Sequence, residues 1–301
     1  MSIAIRLTDI TKRFNGVPAV DGLTLAVPAG SIYGFIGPNG SGKTTTLRMI
    51  MHILLPDSGS IEVLGSADTA GARDRVSYLP EERGLYKKMP VRRLLRYYGQ
   101  LKGRTIAQLD PVIDEWMARL GMDGWDNRTI EALSKGMSQK VQFVAAVISQ
   151  PDLLILDEPF SGLDPVNAQA LKDAVLEMRR RGTTVVFSTH DMATAEKMCD
   201  RIFMIFKGRK VLDGTLDEIQ EAYGFDTIRV RTAGGASALS GMPDVKAVND
   251  YGQLQEVHFA GDPQVFLQHL SARTAVHHFE ITRPSLQDIF VRIAKPTEGV
   301  V

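Results

Sequence analysis

The spacing of apolar residues changes along the chain from strand-like to helix-like, and these changes predict an α/β core. Residues 3–14 alternate roughly between apolar and polar, and residues 31–36 form a short apolar run, as is typical of strands. A helix is predicted at residues 44–55 and another at about 166–181. Further short strands are predicted at residues 60–64, 76–79, 153–156 and 184–187, followed by a hairpin at 202–206 and 210–212. Strands that alternate with helices predict an α/β fold.

A helical insertion interrupts this core. Residues 91–98 and 112–120 carry apolar side chains three and four positions apart, which is the spacing of one helix face. No strand-like run is found between residues 86 and 150. We therefore predict a helical subdomain over about 86–150 and a further helix over about 139–149.

The pattern changes again near Gly224, where we predict a domain boundary. The first domain covers residues 1–224, and the second, a small α+β domain, covers 225–301. Strands are predicted in the second domain at residues 246–248, 254–259 and 275–281, with a helix at about 263–273. Ser285 and Asp288 have the spacing of a capping box, which predicts a last short helix.

Composition narrows the class of protein. Lys plus Arg and Asp plus Glu both number 35, so no global field favours nucleic acid or an anionic membrane. The single Cys199 excludes an internal disulfide and fits a reducing cytosol. The N-terminus lacks the pattern of a signal peptide, and no apolar run approaches the ~18 residues that span a bilayer. We therefore expect a cytoplasmic protein that reaches any membrane through a partner.

A phosphate-binding loop follows the strand at 31–36. Its pattern, G-x-x-x-x-G-K-T, consists of Gly37, Pro38, Asn39, Gly40, Ser41, Gly42, Lys43 and Thr44. Glycines let backbone N–H groups turn towards phosphates, and the helix that follows adds its positive N-terminal end. Lys43 is expected to reach the β- and γ-phosphates, and the Thr44 hydroxyl is expected to bind Mg²⁺, with Thr45 beside it. The loop predicts binding of ATP.

Two carboxylates end the predicted strand at 153–156. Asp157 is positioned to hold Mg²⁺ through water, and Glu158 to polarise the water that attacks the γ-phosphate. A solvated Asp-Glu pair at a strand end is the alternative. Ligands collect at the carboxyl ends of strands in such folds, which favours a catalytic pair.

Two further motifs carry a resemblance to a known family. The pentapeptide Leu133-Ser134-Lys135-Gly136-Met137 lies between the phosphate loop and Asp157, and Ser161-Gly162-Leu163-Asp164 follows Glu158. In this order the motifs resemble those of the ATPase subunit of an ABC transporter, over about residues 3–222. The pentapeptide departs at its third and fifth positions from the family's usual Leu-Ser-Gly-Gly-Gln.

The resemblance implies a role for several residues. Phe14 would stack on adenine, and His190 would contact the γ-phosphate and sense its loss, as a catalytic partner of Glu158 and Lys43. Ser134 and Gly136 would clamp ATP held by a second subunit, and Asp164 would lie in the D-loop that links the two sites. Glu81 stands where the family usually has glutamine and would ligate Mg²⁺. The sequence leaves open whether Glu81 or Glu82 takes this position. The resemblance thus implies an ATP-dependent homodimer.

The resemblance also implies a partner in the membrane. The C-terminal residues 284–290 resemble those of ATPase subunits from bacterial exporters of the sodium-efflux type, so we expect a subunit that powers a separate integral membrane permease, from the cytoplasmic face and without nucleic acid. Docking is expected at residues 81–100, which are rich in Lys and Arg. Alternatives are a soluble ABC ATPase that acts on nucleic acid or ribosomes, and a kinase. A kinase would leave Ser134, Gly136 and His190 without a role.

Overall fold

The computed structural model describes residues 2–67, 72, 74–82, 84–224 and 227–294. The chain divides into two compact units, Met1–Thr215 and Leu216–Val301. In chain order the first unit contains β1 (Ile3–Phe14), β2 (Val17–Pro28), β3 (Ile32–Ile36), α1 (Lys43–Ile50), β4 (Ser58–Val63), β5 (Val76–Leu79), α2 (Val91–Leu101), α3 (Ile106–Arg119), α4 (Lys135–Val147), β6 (Leu153–Asp157), α5 (Pro165–Arg180), β7 (Thr184–Thr189), α6 (Met192–Met198), β8 (Arg201–Phe206) and β9 (Arg209–Gly214).

The central sheet of the first unit has six strands in the order β5-β6-β7-β3-β8-β9. β5, β6, β7, β3 and β8 are parallel, and β9 returns antiparallel to β8. Every residue of β3 and β6 is buried, as expected for parallel strands covered on both faces. Ile36 pairs with Thr189, and Asp157 pairs with Ser188. The ends of β3, β6 and β7 therefore lie side by side.

A second, antiparallel sheet has the order β2-β1-β4. The sequence pattern did not predict β2, because its first residues are exposed and Gly22, at φ 62, interrupts the alternation. From Leu23 onward β2 alternates, with Leu25 and Val27 also buried. Its apolar face packs with β1 and with residues of the central sheet, so the two sheets share one core.

The predicted helical insertion is confirmed and consists of α2, α3 and α4. Trp116 of α3 packs edge-on against Phe143 of α4, with ring centroids 5.7 Å apart, and both side chains are buried. Helix α4 begins at Lys135 and not near residue 139, because Ser134 caps it. Similarly, α1 ends at Ile50 rather than at residue 55, since His52 takes φ 51.

The second unit contains α7 (Leu216–Tyr223), β10 (Thr227–Thr232), β11 (Val245–Asp250), β12 (Gln255–Phe259), α8 (Pro263–Arg273), β13 (Val276–Thr282) and α9 (Leu286–Ala294). All pairings in its sheet, β11-β12-β10-β13, are antiparallel. This is the strand order of a ferredoxin-like split β-α-β arrangement, with a 3-10 turn at Gly235–Leu239 in place of the first helix. The predicted capping box is present, since the Ser285 and Asp288 side chains and backbone N–H groups bond reciprocally.

The division between the units falls after Thr215, ahead of the boundary predicted at Gly224. Helix α7 belongs to the second unit because it is bonded there: Arg283 donates to Asp217 at 2.7 Å, and Gln220 donates to the Pro284 carbonyl at 3.0 Å. Within the described ranges, the helices all lack the length or the apolar character required to cross a bilayer.

We predict that the core of the second unit can be weakened without lowering the stability of the first unit. Phe266 is 1% exposed and packs against Phe259 at 4.8 Å between ring centroids. Phe266→Ala should lower the stability of this unit by about 3–5 kcal/mol. Calorimetry of the full chain should then show one transition displaced to lower temperature and a second, stabilised by MgATP, unchanged. If MgATP no longer stabilised this variant, the two units would not have independent hydrophobic cores.

Candidate functional site

The loop between β3 and α1 can be built only with glycine at two positions. A Cβ on Gly37 would lie 2.3 Å from the carbonyl oxygen of Ile205. A Cβ on Gly42, which has φ 109, would lie 2.5 Å from the carbonyl oxygen of Ala19. Both distances are far below van der Waals contact. The backbones of β2 and β8 therefore pack too closely against the loop for any residue but glycine at these two positions. A glycine-rich loop closed in this way can turn backbone N–H groups towards a phosphate.

Lys43 begins α1 and is 5% exposed. Its Nζ donates to the carbonyl oxygens of Gly37, at 2.7 Å, and Pro38, at 3.2 Å, and lies 3.5 Å from Oε1 of Glu158. Among the described residues, Oγ of Ser41 is buried without a hydrogen-bond partner. A buried polar atom of this kind has unused bonding capacity, which a phosphate oxygen would satisfy. The loop therefore fits a nucleotide.

Asp157 is fully buried at the end of β6 and accepts three hydrogen bonds. The donors are Oγ1 of Thr44 at 3.2 Å, Oγ of Ser188 at 2.5 Å and the hydroxyl of Tyr78 at 3.3 Å. Burial, and then the charge of Asp157, raise the pKa of Tyr78 to about 12, so its hydroxyl remains a donor. Sequence reasoning missed Tyr78 and Ser188; only their places, at the ends of predicted strands, could have indicated them.

Glu158 follows in a left-handed backbone conformation, with φ 48, and is 8% exposed. Its N–H donates to Oγ of Ser188 at 2.9 Å. Both of its carboxylate oxygens lie 3.1 Å from Nδ1 of His190, whose ring is about half exposed. The structure therefore brings together Lys43, Glu158 and His190, the three residues expected to be catalytic.

A cleft of about 330 Å³ opens beside these groups. Glu81, from the loop after β5, lines it together with Glu158, which places Glu81 rather than Glu82 at the site. The Glu82 carbonyl instead accepts from Nε2 of Gln142 in α4, at 3.4 Å. The remaining lining residues are Ala19, Asn39, Gly40, Gly42, Lys43, Thr44 and Thr45.

The oxygen atoms near the cleft suit Mg²⁺ that is shared with a triphosphate. Thr44 and Asp157 supply a hydroxyl and a carboxylate 3.2 Å apart, and Glu81 supplies a second carboxylate in the lining. In the part of the chain that the structure describes, no three His, Cys, Asp or Glu side chains are grouped so as to hold a metal ion alone. Mg²⁺ usually takes one or two protein ligands plus phosphates and waters, so this donor set fits it.

Phe14 ends β1 beside a turn at Asn15 and Gly16 and is 46% exposed. Nζ of Lys12 lies 5.9 Å from the centroid of its ring. The ring is therefore a surface group on the hairpin β1–β2 and is open to stack on a planar ligand. Phe14 is therefore not a core residue.

Three other residues with expected ATP contacts do not line this cleft. Ser134 caps α4, accepting from the N–H of Met137 at 3.2 Å. Asp164 caps α5, and its hydrogen bonds, above all that from the N–H of Asn167, lower its carboxyl pKa. Gly136 packs on Asn167, where a Cβ would lie 2.5 Å from Nδ2. Ser134, Gly136 and Asp164 therefore form a separate group in the same chain, at the N-terminal ends of two helices.

Comparison with known proteins identifies related families for both units of the chain. Residues 20–161 match the ABC transporter family, and residues 214–294 match the C-terminal domain of ATP-binding proteins of the DrrA1-3 type. A solved structure of an ATP binding subunit of an ABC transporter superposes with a TM-score of 0.69, at 31% identity, over 73% of this chain and 93% of that chain.

Several curated relatives are similar over most of the chain. The ABC transporter ATP-binding protein YhaQ of Bacillus subtilis is 38% identical over 290 residues, which are 95% of this chain and 97% of YhaQ. NatA of the same organism is 36% identical, over 72% of this chain and 92% of its own. The Nod factor export ATP-binding protein I of Burkholderia lata is 30% identical, over 96% of both chains.

We predict that Lys43→Ala abolishes nucleotide binding, because Lys43 is the buried cation of the phosphate loop and charge-assisted bonds to phosphate are the strong ones. Fluorescence titration with a labelled ATP analogue should show a loss of at least about 100-fold in affinity, equal to ~2.7 kcal/mol. Lys197, which is exposed on α6, gives a matched control, and Lys197→Ala should bind normally. Binding retained by Lys43→Ala would show that the nucleotide lies elsewhere.

Proposed function

Since the chain belongs to the family of ABC transporter ATP-binding proteins, we propose that the cleft beside Lys43 holds MgATP and that Glu158 catalyses its hydrolysis. The chain is an ATPase subunit of an ABC transporter and works with a membrane permease. The observation that carries the proposed site is the convergence of Lys43, Asp157 and Glu158 at the ends of neighbouring parallel strands.

Each group has a defined role in this proposal. Lys43 leaves its carbonyl partners to bind the β- and γ-phosphates. Thr44, Asp157 and Glu81 would hold Mg²⁺, which would neutralise charge on the phosphates. Glu158 orients and deprotonates the attacking water. His190, hydrogen-bonded to both oxygens of Glu158 in the structure, keeps that carboxylate in place and contacts the γ-phosphate. Phe14 stacks on the adenine.

We propose that a second copy of the chain completes the site. Ser134 and Gly136 lie at the N-terminus of α4, a helix long enough to present a partial positive charge to a phosphate. They lie outside the cleft of their own chain. They can therefore contact only ATP that is bound in the cleft of a partner subunit. Asp164 at the start of α5 would meet the partner in the same interface. This argument supports an ATP-dependent homodimer.

The proposed direction of transport is export, from the cytoplasmic face of the membrane. One relative that matches nearly the whole chain is named for Nod factor export. The similarity extends into the second unit, which matches the DrrA1-3 type of C-terminal domain. The reported relatives are all transporter proteins, which favours this function over an ATPase acting on nucleic acid or ribosomes.

We propose that the permease docks on a surface formed by Tyr86, Lys87, Lys88, Met89, Pro90 and Arg93, which encloses about 440 Å³. Within the described ranges, the side chains of Lys87, Lys88 and Arg93 form no salt bridge, so the surface is positive and suits an acidic helix with an apolar anchor.

Arg92, a residue expected in the docking contact, is instead bound to Asp110 and Asp126, at 3.7 and 3.2 Å, and to Asp114. Arg96 pairs with Asp110 at 2.7 Å.

We predict that Glu158→Gln binds ATP but hydrolyses it at least ~100 times more slowly, because removal of a general base typically costs 10²–10⁴-fold. With ATP bound, this variant should form a stable dimer, which size-exclusion chromatography with light scattering would detect. With ADP, it should stay monomeric. Turnover by Glu158→Gln at the wild-type rate would exclude Glu158 as the base.

We predict that two inactive subunits restore activity when they are mixed. A Lys43→Ala subunit lacks a working phosphate loop, and a Ser134→Arg subunit lacks a working clamp. Their heterodimer retains one intact composite site, so the mixture should recover a fraction of the wild-type ATPase rate while each variant alone stays inactive. If differently tagged subunits co-purify with ATP and yet no activity returns, the site is not shared between chains.

We predict that reversing the charge of the docking surface uncouples the ATPase from the membrane. Lys87→Glu, Lys88→Glu and Arg93→Glu together should leave the basal ATPase rate within about twofold, since none of the three contacts the cleft. Recruitment to vesicles that contain the permease, measured by flotation, should be lost. A single charge reversal on α5, at the exposed Arg180, is the control for a charge change away from this surface. Recruitment that survives the triple reversal would place docking elsewhere.

A further inference from the structure

Lys135 occupies the third position of the pentapeptide, where ABC ATPases usually have glycine, and its side chain lies across the D-loop of its own chain. A Cβ built on Gly162 would lie 2.3 Å from Nζ of Lys135 and 3.3 Å from its Cε. Lys135 is exposed, and it forms no salt bridge with any residue that the structure describes. Nζ and Cε, at the end of the Lys135 side chain, therefore fill the place of a Cβ at residue 162.

A second contact joins the pentapeptide to the helix that follows the D-loop. Gly136 packs on Asn167, with 2.5 Å between its hypothetical Cβ and Nδ2. That amide nitrogen donates to Oδ2 of Asp164 at 2.5 Å, and Asp164 in turn caps α5. Consecutive residues of the pentapeptide thus contact the D-loop at Gly162 and the helix that follows it at Asn167. In this chain the start of α4 and the D-loop form one packed surface.

We propose that Lys135 is a positioning residue that fixes the D-loop, residues 161–164, against the start of α4. This inference rests on the ATP site shared between two chains that is proposed above. A partner subunit must meet both segments at once, and a loop ordered in advance loses less conformational entropy on association. The contact works through the length of the lysine stem, and it requires glycine at 162, which also has φ 66.

The test compares Lys135→Ala, Lys135→Met and Gly162→Ala. Lys135→Ala removes the stem and should raise the ATP concentration for half-maximal ATPase activity about fivefold, a loss of ~1 kcal/mol. Lys135→Met keeps the stem and should stay within about twofold. Binding of labelled ADP to single subunits should be unchanged in every variant, because it uses the chain's own phosphate loop. A change in the ATP dependence without a change in ADP binding would separate a positioning role from damage to the nucleotide site.

Gly162→Ala should displace the Lys135 stem and raise the half-maximal ATP concentration. In the Lys135→Ala background the same change should have a clearly smaller effect, since only the backbone cost of alanine at φ 66 remains. Gly121 has φ 64 with nothing within 4 Å of its hypothetical Cβ, so Gly121→Ala measures that backbone cost in thermal stability without a clash.

Two results would overturn the inference. One is a Lys135→Ala subunit whose ATP dependence equals that of the wild type. The other is an effect of Gly162→Ala that is equal in both backgrounds. Failure of the Glu158→Gln subunit to dimerise with ATP would instead overturn the two-chain site itself, whereas a normal dimer that does not respond to Lys135→Ala would overturn this inference alone.

Discussion

The burial of charge at the ends of β3, β6 and β7 is the constraint on which the first unit depends. Removing an ion from water costs several kcal/mol unless it is compensated. The Asp157 carboxylate is compensated by three hydroxyl donors, and the Lys43 ammonium by two carbonyls and by Glu158. Parallel pairing in this strand order is what brings these groups within reach of each other. A ligand that carries its own negative charge can therefore replace the carbonyl and carboxylate contacts of Lys43.

Helix α4 connects this charged site to the rest of the unit. Its buried Gln139 donates to the Pro159 carbonyl, next to Glu158, at 3.1 Å, and Gln142 donates to the Glu82 carbonyl, next to Glu81, at 3.4 Å. The same helix begins at Ser134 and Gly136, the residues that we propose act on ATP held by a partner. A change at either carboxylate thus bears on the position of the helix, which gives a physical route for coupling between the cleft, the helical insertion and a docked protein.

The sequence predicted most of the catalytic unit because its signals are local. The phosphate loop needs glycine at fixed places, and buried parallel strands such as β6 are continuous apolar runs. Strand β2 was missed because Gly22 breaks its alternation. The early start of α4 was missed because Ser134 was assigned to a phosphate contact, although the same residue can also cap a helix. Tyr78 and Ser188 carry no motif. The pairing of Arg92 with Asp110, Asp114 and Asp126 depends on how α2 and α3 pack, which charge counts along the chain do not contain.

We propose that one chain holds only part of an ATP site. The most direct measurement is the ATPase rate per subunit as the protein is diluted at saturating MgATP. A site shared between two chains predicts that the rate per subunit falls with dilution and approaches zero where sedimentation shows only monomers. A rate per subunit that stays constant across that range, with monomers as the active species, would contradict the account.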